Sequence, residues 1–290
     1  MKTKTIVLLV CGICFLAALI IAAFVLPAGQ AKETITQSVQ TQTEQTAQIA
    51  PEATTAPEPH AGTITFPAAD GLTVTALLYW NGNSDAPMIL LFHQAENSSA
   101  EYLDIAPKLT AQGYNCLAVD QRSGGSNAGI ENRTYQAAKE KNLPTGYTDA
   151  YPDLEAALTY AEQELQAKQI IVWGSSYSAS LALILAAQHP DEISAVLAFS
   201  PGEYFKLDGK QVADYAKDIT QPAFITSTDW EVKAWQGIAD QIKSEGSVFF
   251  VPKGKGWHGS ASLDRDAPSP EEYWTAVNAF LASLNTANSK

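Results

Sequence analysis

Three short runs in this 290-residue chain, MILLF at Met88 to Phe92, IIVW at Ile170 to Trp173 and AVLAF at Ala195 to Phe199, are apolar at every position. A strand with one wet face alternates polar and apolar residues, whereas a strand apolar throughout must be covered on both sides. Between the runs lie segments whose apolar residues recur at helical spacing, so helices supply the cover. The fold class is therefore α/β. Eight strands fit: Thr63 to Phe66, Leu72 to Trp80, Met88 to His93, Tyr114 to Asp120, Ile170 to Gly174, Ser194 to Ser200, Ala223 to Thr228 and Val248 to Pro252. The first two alternate or run into Asn81-Gly82-Asn83, which suggests an antiparallel edge on a mostly parallel sheet. Helices are expected over Ala100 to Gln112, Ala150 to Lys168, Ser176 to Gln188, Glu231 to Ser244 and Pro270 to Leu284. Ser269-Pro270-Glu271-Glu272 opens the last with a cap, a proline and two first-turn acids.

The first sixty residues do not share this pattern. Lys2 and Lys4 precede an unbroken apolar run from Ile6 to Leu26, the layout of an export signal. A run of this length fits either a signal cut near Ala31 or an N-terminal membrane anchor left in place, so residues 1–31 are read as one or the other. Both place the remainder outside the cytoplasm. Residues 32–60, rich in Thr, Gln, Glu, Ala and Pro, lack apolar periodicity and read as a disordered linker. Residues 61–290 remain as one domain. Cys11 and Cys14 lie in the apolar run, and Cys116 falls in an expected buried strand, so the three cysteines form no disulfide framework.

The formal net charge of −13 argues against a nucleic-acid or anionic-membrane partner. No Cys/His cluster at zinc spacing, calcium loop or phosphate-cradling glycine loop is present, so nothing in the sequence calls for a metal or a cofactor.

The segment GSSYSA at Gly174 to Ala179 follows one apolar run and leads into the helical pattern SLALILAAQHP. A strand, a tight turn and a helix meet at Ser176, with small residues two positions to each side. That is the layout of a nucleophile elbow. His258, in the glycine-rich loop KGKGWHGSAS before the last helix, is the candidate base. The other histidines are placed elsewhere: His60 in the linker, His93 at a strand end, His189 at a helix end. Asp229, after the strand FITSTD, is the candidate acid that orients the ring, with Glu203 in reserve. The backbone N–H groups of Tyr177 and Gln94 are the candidate oxyanion donors. His93 is expected to brace its loop, and Arg122 to tie loops together. Residues 127–147 are expected to arch over the site, and Trp230, Trp257, Tyr177 and Tyr204 to lie near it.

Residues 62 to 286 resemble the α/β-hydrolase superfamily, nearest to its dienelactone-hydrolase-like and small-esterase branches. LLFHQ resembles the His-Gly oxyanion strand, DQRSGGS the D-x-R-G-x-G-x-S turn, GSSYSA the elbow, STD the acid and WHGS the histidine loop. Two positions depart: Gln94 and Ser178 stand where many members carry glycine. The resemblance implies an α/β-hydrolase fold, and a Ser-His-Asp hydrolase that needs no cofactor and cleaves a small soluble ester. The dienelactone branch usually carries a cysteine nucleophile, so the serine favours esterase chemistry. A peptidase of the same fold and a surface binding module without activity are the rival readings.

Overall fold

The computed structural model describes residues 58–287, all within one compact unit. The apolar run, its cysteines and nearly all of the linker lie outside the described residues. Among the described residues, no helix is long and apolar enough to cross a membrane.

In chain order the elements are β1 (His60–Pro67), β2 (Thr73–Trp80), β3 (Met88–Phe92), α1 (Ile105–Ala111), β4 (Asn115–Asp120), β5 (Ser126–Asn127), β6 (Ile130–Glu131) and α2 (Arg133–Glu140). There follow α3 (Tyr151–Gln163), β7 (Ile170–Ser175), α4 (Tyr177–Gln188), β8 (Ile193–Phe199), α5 (Val212–Ala216), β9 (Ala223–Thr226), α6 (Val232–Ala239), β10 (Val248–Phe250) and α7 (Pro270–Ala287). Eight strands form one sheet in the order β1-β2-β4-β3-β7-β8-β9-β10. β1 and β2 run antiparallel to their neighbours and the other six are parallel. The mostly parallel eight-stranded sheet expected from the sequence is present, and β5 and β6 make a separate small hairpin.

The run MILLF shows why the apolar stretches must be strands. Met88, Leu90 and Phe92 enter the core on one side of the sheet, and Ile89 and Leu91 enter the core on the other. Helices α3, α4, α5 and α6 cover the first face; α1 and α7 cover the second. Each face buries its own apolar layer, which is what a strand apolar at every position requires.

The order of strands also locates a crevice. From β3 the chain moves outward to β4, then crosses back to β7 on the other side of β3. Loops leaving β3 and β7 at their carboxyl ends therefore diverge, and a cleft opens between them.

Three expectations change at this level. The helix expected from Ala100 is split into a 3₁₀ turn, Ser99–Tyr102, and α1. The helix expected from Glu231 is likewise preceded by a 3₁₀ turn, Asp229–Glu231. Residues 127–147 do not arch freely over the site, because they contain α2, which packs on the scaffold. Thr134 Oγ1 in α2 accepts the Thr75 N–H of β2 at 2.8 Å, and the Asn132 amide donates to Gln121 O at 2.8 Å while its Oδ1 caps the helix.

Candidate active site

Ser176 sits between β7 and α4 with φ of 60°. A non-glycine residue held there costs about 1–3 kcal/mol, so the surrounding structure must impose it. Its N–H donates to Phe199 O at 2.8 Å, which ties the turn to β8. Gly174 is forced by contact: a Cβ there would lie 2.3 Å from Ser178 O and 2.5 Å from Ala179 Cα. Helix and strand pass so closely that only hydrogen fits. Ser178, in the elbow's last small position, uses its hydroxyl where glycine would have nothing. Its Oγ lies 2.7 Å from Phe92 O and accepts the Ser175 N–H at 3.0 Å, pinning the elbow to β3.

His258 is brought to this serine from 82 residues away, with Nε2 2.7 Å from Ser176 Oγ. Its loop is anchored on both sides. Upstream, the N–H groups of Lys253 and Gly254 donate to Glu272 in the first turn of α7, at 2.8 and 3.1 Å. Downstream, Gly259 N–H donates to Ser200 Oγ at 3.0 Å and Ser260 N–H to Ser175 Oγ at 2.9 Å.

The carboxylate at the other ring nitrogen is that of Glu231, not Asp229. Glu231 Oε1 accepts a short hydrogen bond from His258 Nδ1. β9 stops at Thr226, two residues earlier than expected, and the chain enters a 3₁₀ turn that sends Asp229 into solvent. Asp229 Oδ1 accepts the N–H of the following Trp230 at 2.9 Å, a local contact. Thr228 and Glu231 form a capping box, so the glutamate turns back toward the sheet. Its Oε2 accepts from Ser200 Oγ at 2.7 Å and Thr228 Oγ1 at 3.0 Å, which leaves Oε1 for the histidine. Burial disfavours its charge, but hydrogen bonds from His258 and Ser200 outweigh that and hold its pKa below the usual value. Glu203, the reserve, is occupied elsewhere: it accepts the N–H groups of Val212 and Ala213 at 2.7 and 2.9 Å, at the start of α5.

One of the two expected oxyanion donors is already occupied. Gln94 N–H donates at 2.7 Å to Oε2 of the buried Glu101, so it is engaged. The next N–H on the same loop, that of Ala95, has no acceptor among the described residues. Tyr177 N–H, the first of α4, is one of the donors that a helix start leaves without an intrahelical acceptor. The Tyr177 ring is fully buried: Gln121 Nε2 donates to its hydroxyl at 3.2 Å, and Tyr147 stacks on it with centroids 4.5 Å apart.

The remaining polar residues are scaffold. His93 is wholly buried, its pKa lowered by desolvation; Nδ1 faces Gln94 O at 2.7 Å and Nε2 accepts the Gln121 N–H at 3.0 Å. That pattern places the proton on Nδ1. Arg122 binds Asp153 of α3 and Asp70 between β1 and β2, joining three segments.

Between the loop after β3 and the histidine loop lies a cavity of about 330 Å³ whose walls include Gln94, Glu101, Asp104, Trp257, Asp264 and Asp266, but neither Ser176 nor His258. Four of these are acids. Desolvation, with repulsion from Asp104 and Asp266, raises Asp264 to about 6. A larger depression of about 440 Å³ lies between the end of β1 and α3 and shares no residue with the site. Trp230, Trp257 and Tyr204 are exposed by 70%, 42% and 40%, so these aromatics are surface and not core.

A serine hydroxyl bonded to a neutral imidazole, whose other nitrogen donates to a buried carboxylate, can surrender its proton to the ring and recover it later. The alpha/beta hydrolase fold family matches residues 87–231, half of the chain. The structure is similar to an esterase of Pyrococcus furiosus, at 19% identity over 78% of this chain and 91% of that one, with a TM-score of 0.59. It is similar to Est1E of Butyrivibrio proteoclasticus, solved with ferulic acid bound (17% identity, 77% and 99% of the two chains, TM-score 0.59). A putative dienelactone hydrolase of Klebsiella pneumoniae gives 16% identity, 78% and 99% coverage and the same TM-score. No curated protein matches the chain.

Proposed function

The chain belongs to the alpha/beta-hydrolase fold family, and from that premise we propose that it is a serine hydrolase cleaving a small soluble ester through an acyl-enzyme. The observation that carries this reading is the continuous path Ser176 Oγ, His258 Nε2, His258 Nδ1, Glu231 Oε1.

Ser176 Oγ attacks the ester carbonyl while its proton passes to His258 Nε2. Glu231, ionised by its hydrogen bonds, holds Nδ1–H and stabilises the imidazolium. The N–H groups of Tyr177 and Ala95 receive the oxyanion. As the carbonyl re-forms, the ester C–O bond breaks and the departing alcohol takes the proton from Nε2. Water then repeats the sequence: it gives a proton to Nε2, attacks the acyl carbon, and releases the carboxylic acid as Ser176 regains its hydrogen. Ester and water enter; acid and alcohol leave, with no cofactor.

The acidic cavity disfavours anionic esters. Trp230 and Trp257, each adjacent in sequence to Glu231 or His258, offer faces to an aromatic acyl group, the class represented by the ferulic acid in the Butyrivibrio relative. The reading includes export, supported by Lys2, Lys4 and the apolar run from Ile6 to Leu26, with the domain either released or tethered at the membrane.

A fluorophosphonate probe tests the core of it. The intact protein labels and turns over a short-chain nitrophenyl ester, and Ser176→Ala does neither, losing roughly a thousandfold or more in turnover. Undiminished labelling of the variant ends the assignment. An intact protein that never labels points instead to a binding module, and amide cleavage in preference to ester points to a peptidase.

A further inference from the structure

Glu101 is a buried acid that the acyl-transfer scheme leaves without a task. It sits in the 3₁₀ turn after β3, 6% exposed, and both its oxygens are engaged. Oε2 accepts Gln94 N–H at 2.7 Å and Oε1 accepts the Ser175 hydroxyl at 2.6 Å. Ser175 immediately precedes Ser176, and its Oγ in turn accepts Ser260 N–H at 2.9 Å. Ser260 lies two residues after His258, and its own Oγ accepts the indole N–H of Trp173 in β7 at 2.9 Å. The crossing is packed to contact, since a Cβ on Gly259 would lie 2.3 Å from Ser175 Oγ. One carboxylate therefore meets the loop after β3, the elbow, and, through one hydroxyl, the histidine loop.

A buried carboxylate is costly to maintain, so its persistence here calls for a reason. An ionised carboxylate accepts at both oxygens and donates at neither, and the two groups facing it are both donors. By taking Gln94 N–H it fixes the His93–Gln94 peptide, the plane next to the one that carries the open Ala95 N–H.

We infer that Glu101 is a positioning residue of the acyl-transfer site, a two-sided acceptor that holds the Ala95 oxyanion donor, Ser176 and His258 in one register. The inference rests on the function proposed above. It touches no reacting atom; it acts through Gln94, Ser175 and Ser260.

The groups facing Glu101 decide what its charge does. His258 attracts it, Asp264 repels it, and the hydroxyls of Tyr102 and Tyr177 lie within its field. Asp104 and Asp266 share the cavity wall. Burial, the largest effect, raises Glu101 to about 7.

The test uses the full chain, a neutral nitrophenyl ester, and sites counted by fluorophosphonate titration so that misfolded protein does not enter. Wild-type turnover together with an inert Ser176→Ala first establishes the underlying reading; without them that reading fails, and Glu101 is not what failed. Glu101→Gln keeps one acceptor and the volume; kcat per titrated site falls roughly tenfold with KM within about threefold. Glu101→Ala loses about a hundredfold in kcat. Ser175→Ala, which cuts the relay but keeps the Glu101 carboxyl, lowers kcat with KM within about threefold. Unchanged kcat per site in both Glu101 variants overturns the inference, as does a loss confined to the KM of a cationic ester, which would make Glu101 a substrate contact.

Discussion

Two buried glutamates serve the loops around Ser176 and His258, and their surroundings push them in opposite directions. Glu231 accepts from an imidazole and two hydroxyls, and these hydrogen bonds overcome its burial and hold it ionised. Glu101 accepts from one hydroxyl and one amide, too little to offset complete burial, and rises to about 7. The difference teaches that burial alone does not set the state of an acid; the number and charge of its donors does. The first is suited to holding a histidine for proton transfer, the second to holding backbone.

The sharpest way to break this comparison is to remove the Glu231 charge. Glu231→Gln should lower kcat by roughly a thousandfold or more, because an amide at Nδ1 stabilises the wrong tautomer and cannot support the imidazolium. A loss near tenfold, like that expected for Glu101→Gln, would erase the distinction between the two glutamates.

A second test reads stability. Glu101 has a folded pKa near 7 against an ordinary 4.5, so its contribution is full below about 4.5 and is lost as pH rises through 7. That corresponds to on the order of 3 kcal/mol. Glu231 has the opposite sign: its pKa is lowered, so its contribution is present above the ordinary value and is lost on acidification. Between pH 5 and pH 8 the Tm of the wild type should fall relative to that of Glu101→Gln, by several degrees in a domain of this size. Parallel curves would show that Glu101 does not titrate in this range.

The smallest effect belongs to Asp229, which lies away from the His258 ring. Asp229→Asn removes an exposed carboxylate that accepts the adjacent Trp230 N–H, and kcat/KM should stay within about twofold. A thousandfold loss there would return the acid role to Asp229 and remove Glu231 from the comparison.

The legibility of these residues follows from the range of the forces that place them. Ser176 is marked by neighbours within three positions, since the strand before it, the small residues around it and the helix after it are all local. Glu231 also left a local mark, Thr228-x-x-Glu231, but that spacing signals a capping box and by itself points to structure, not to a histidine. Which of Asp229 and Glu231 meets His258 depends on where β9 stops. That is decided by pairing with β8 and by the hydroxyl of Ser200, 31 residues away. The open N–H of Ala95 is not legible in the sequence for a similar reason: only Glu101, turned inward by a 3₁₀ turn inside an expected helix, shows that Gln94 N–H is spent.

Sequence alone determined the α/β class, the eight strands and the two-faced burial of the central apolar runs, because periodicity and turn chemistry act over a few residues. Tertiary structure alone decided which carboxylate reaches the imidazole, which amide stays open, and that a second glutamate underlies the elbow. Those choices are hydrogen bonds between segments as much as 85 residues apart, and a shift of one or two residues at a strand end exchanges one partner for another.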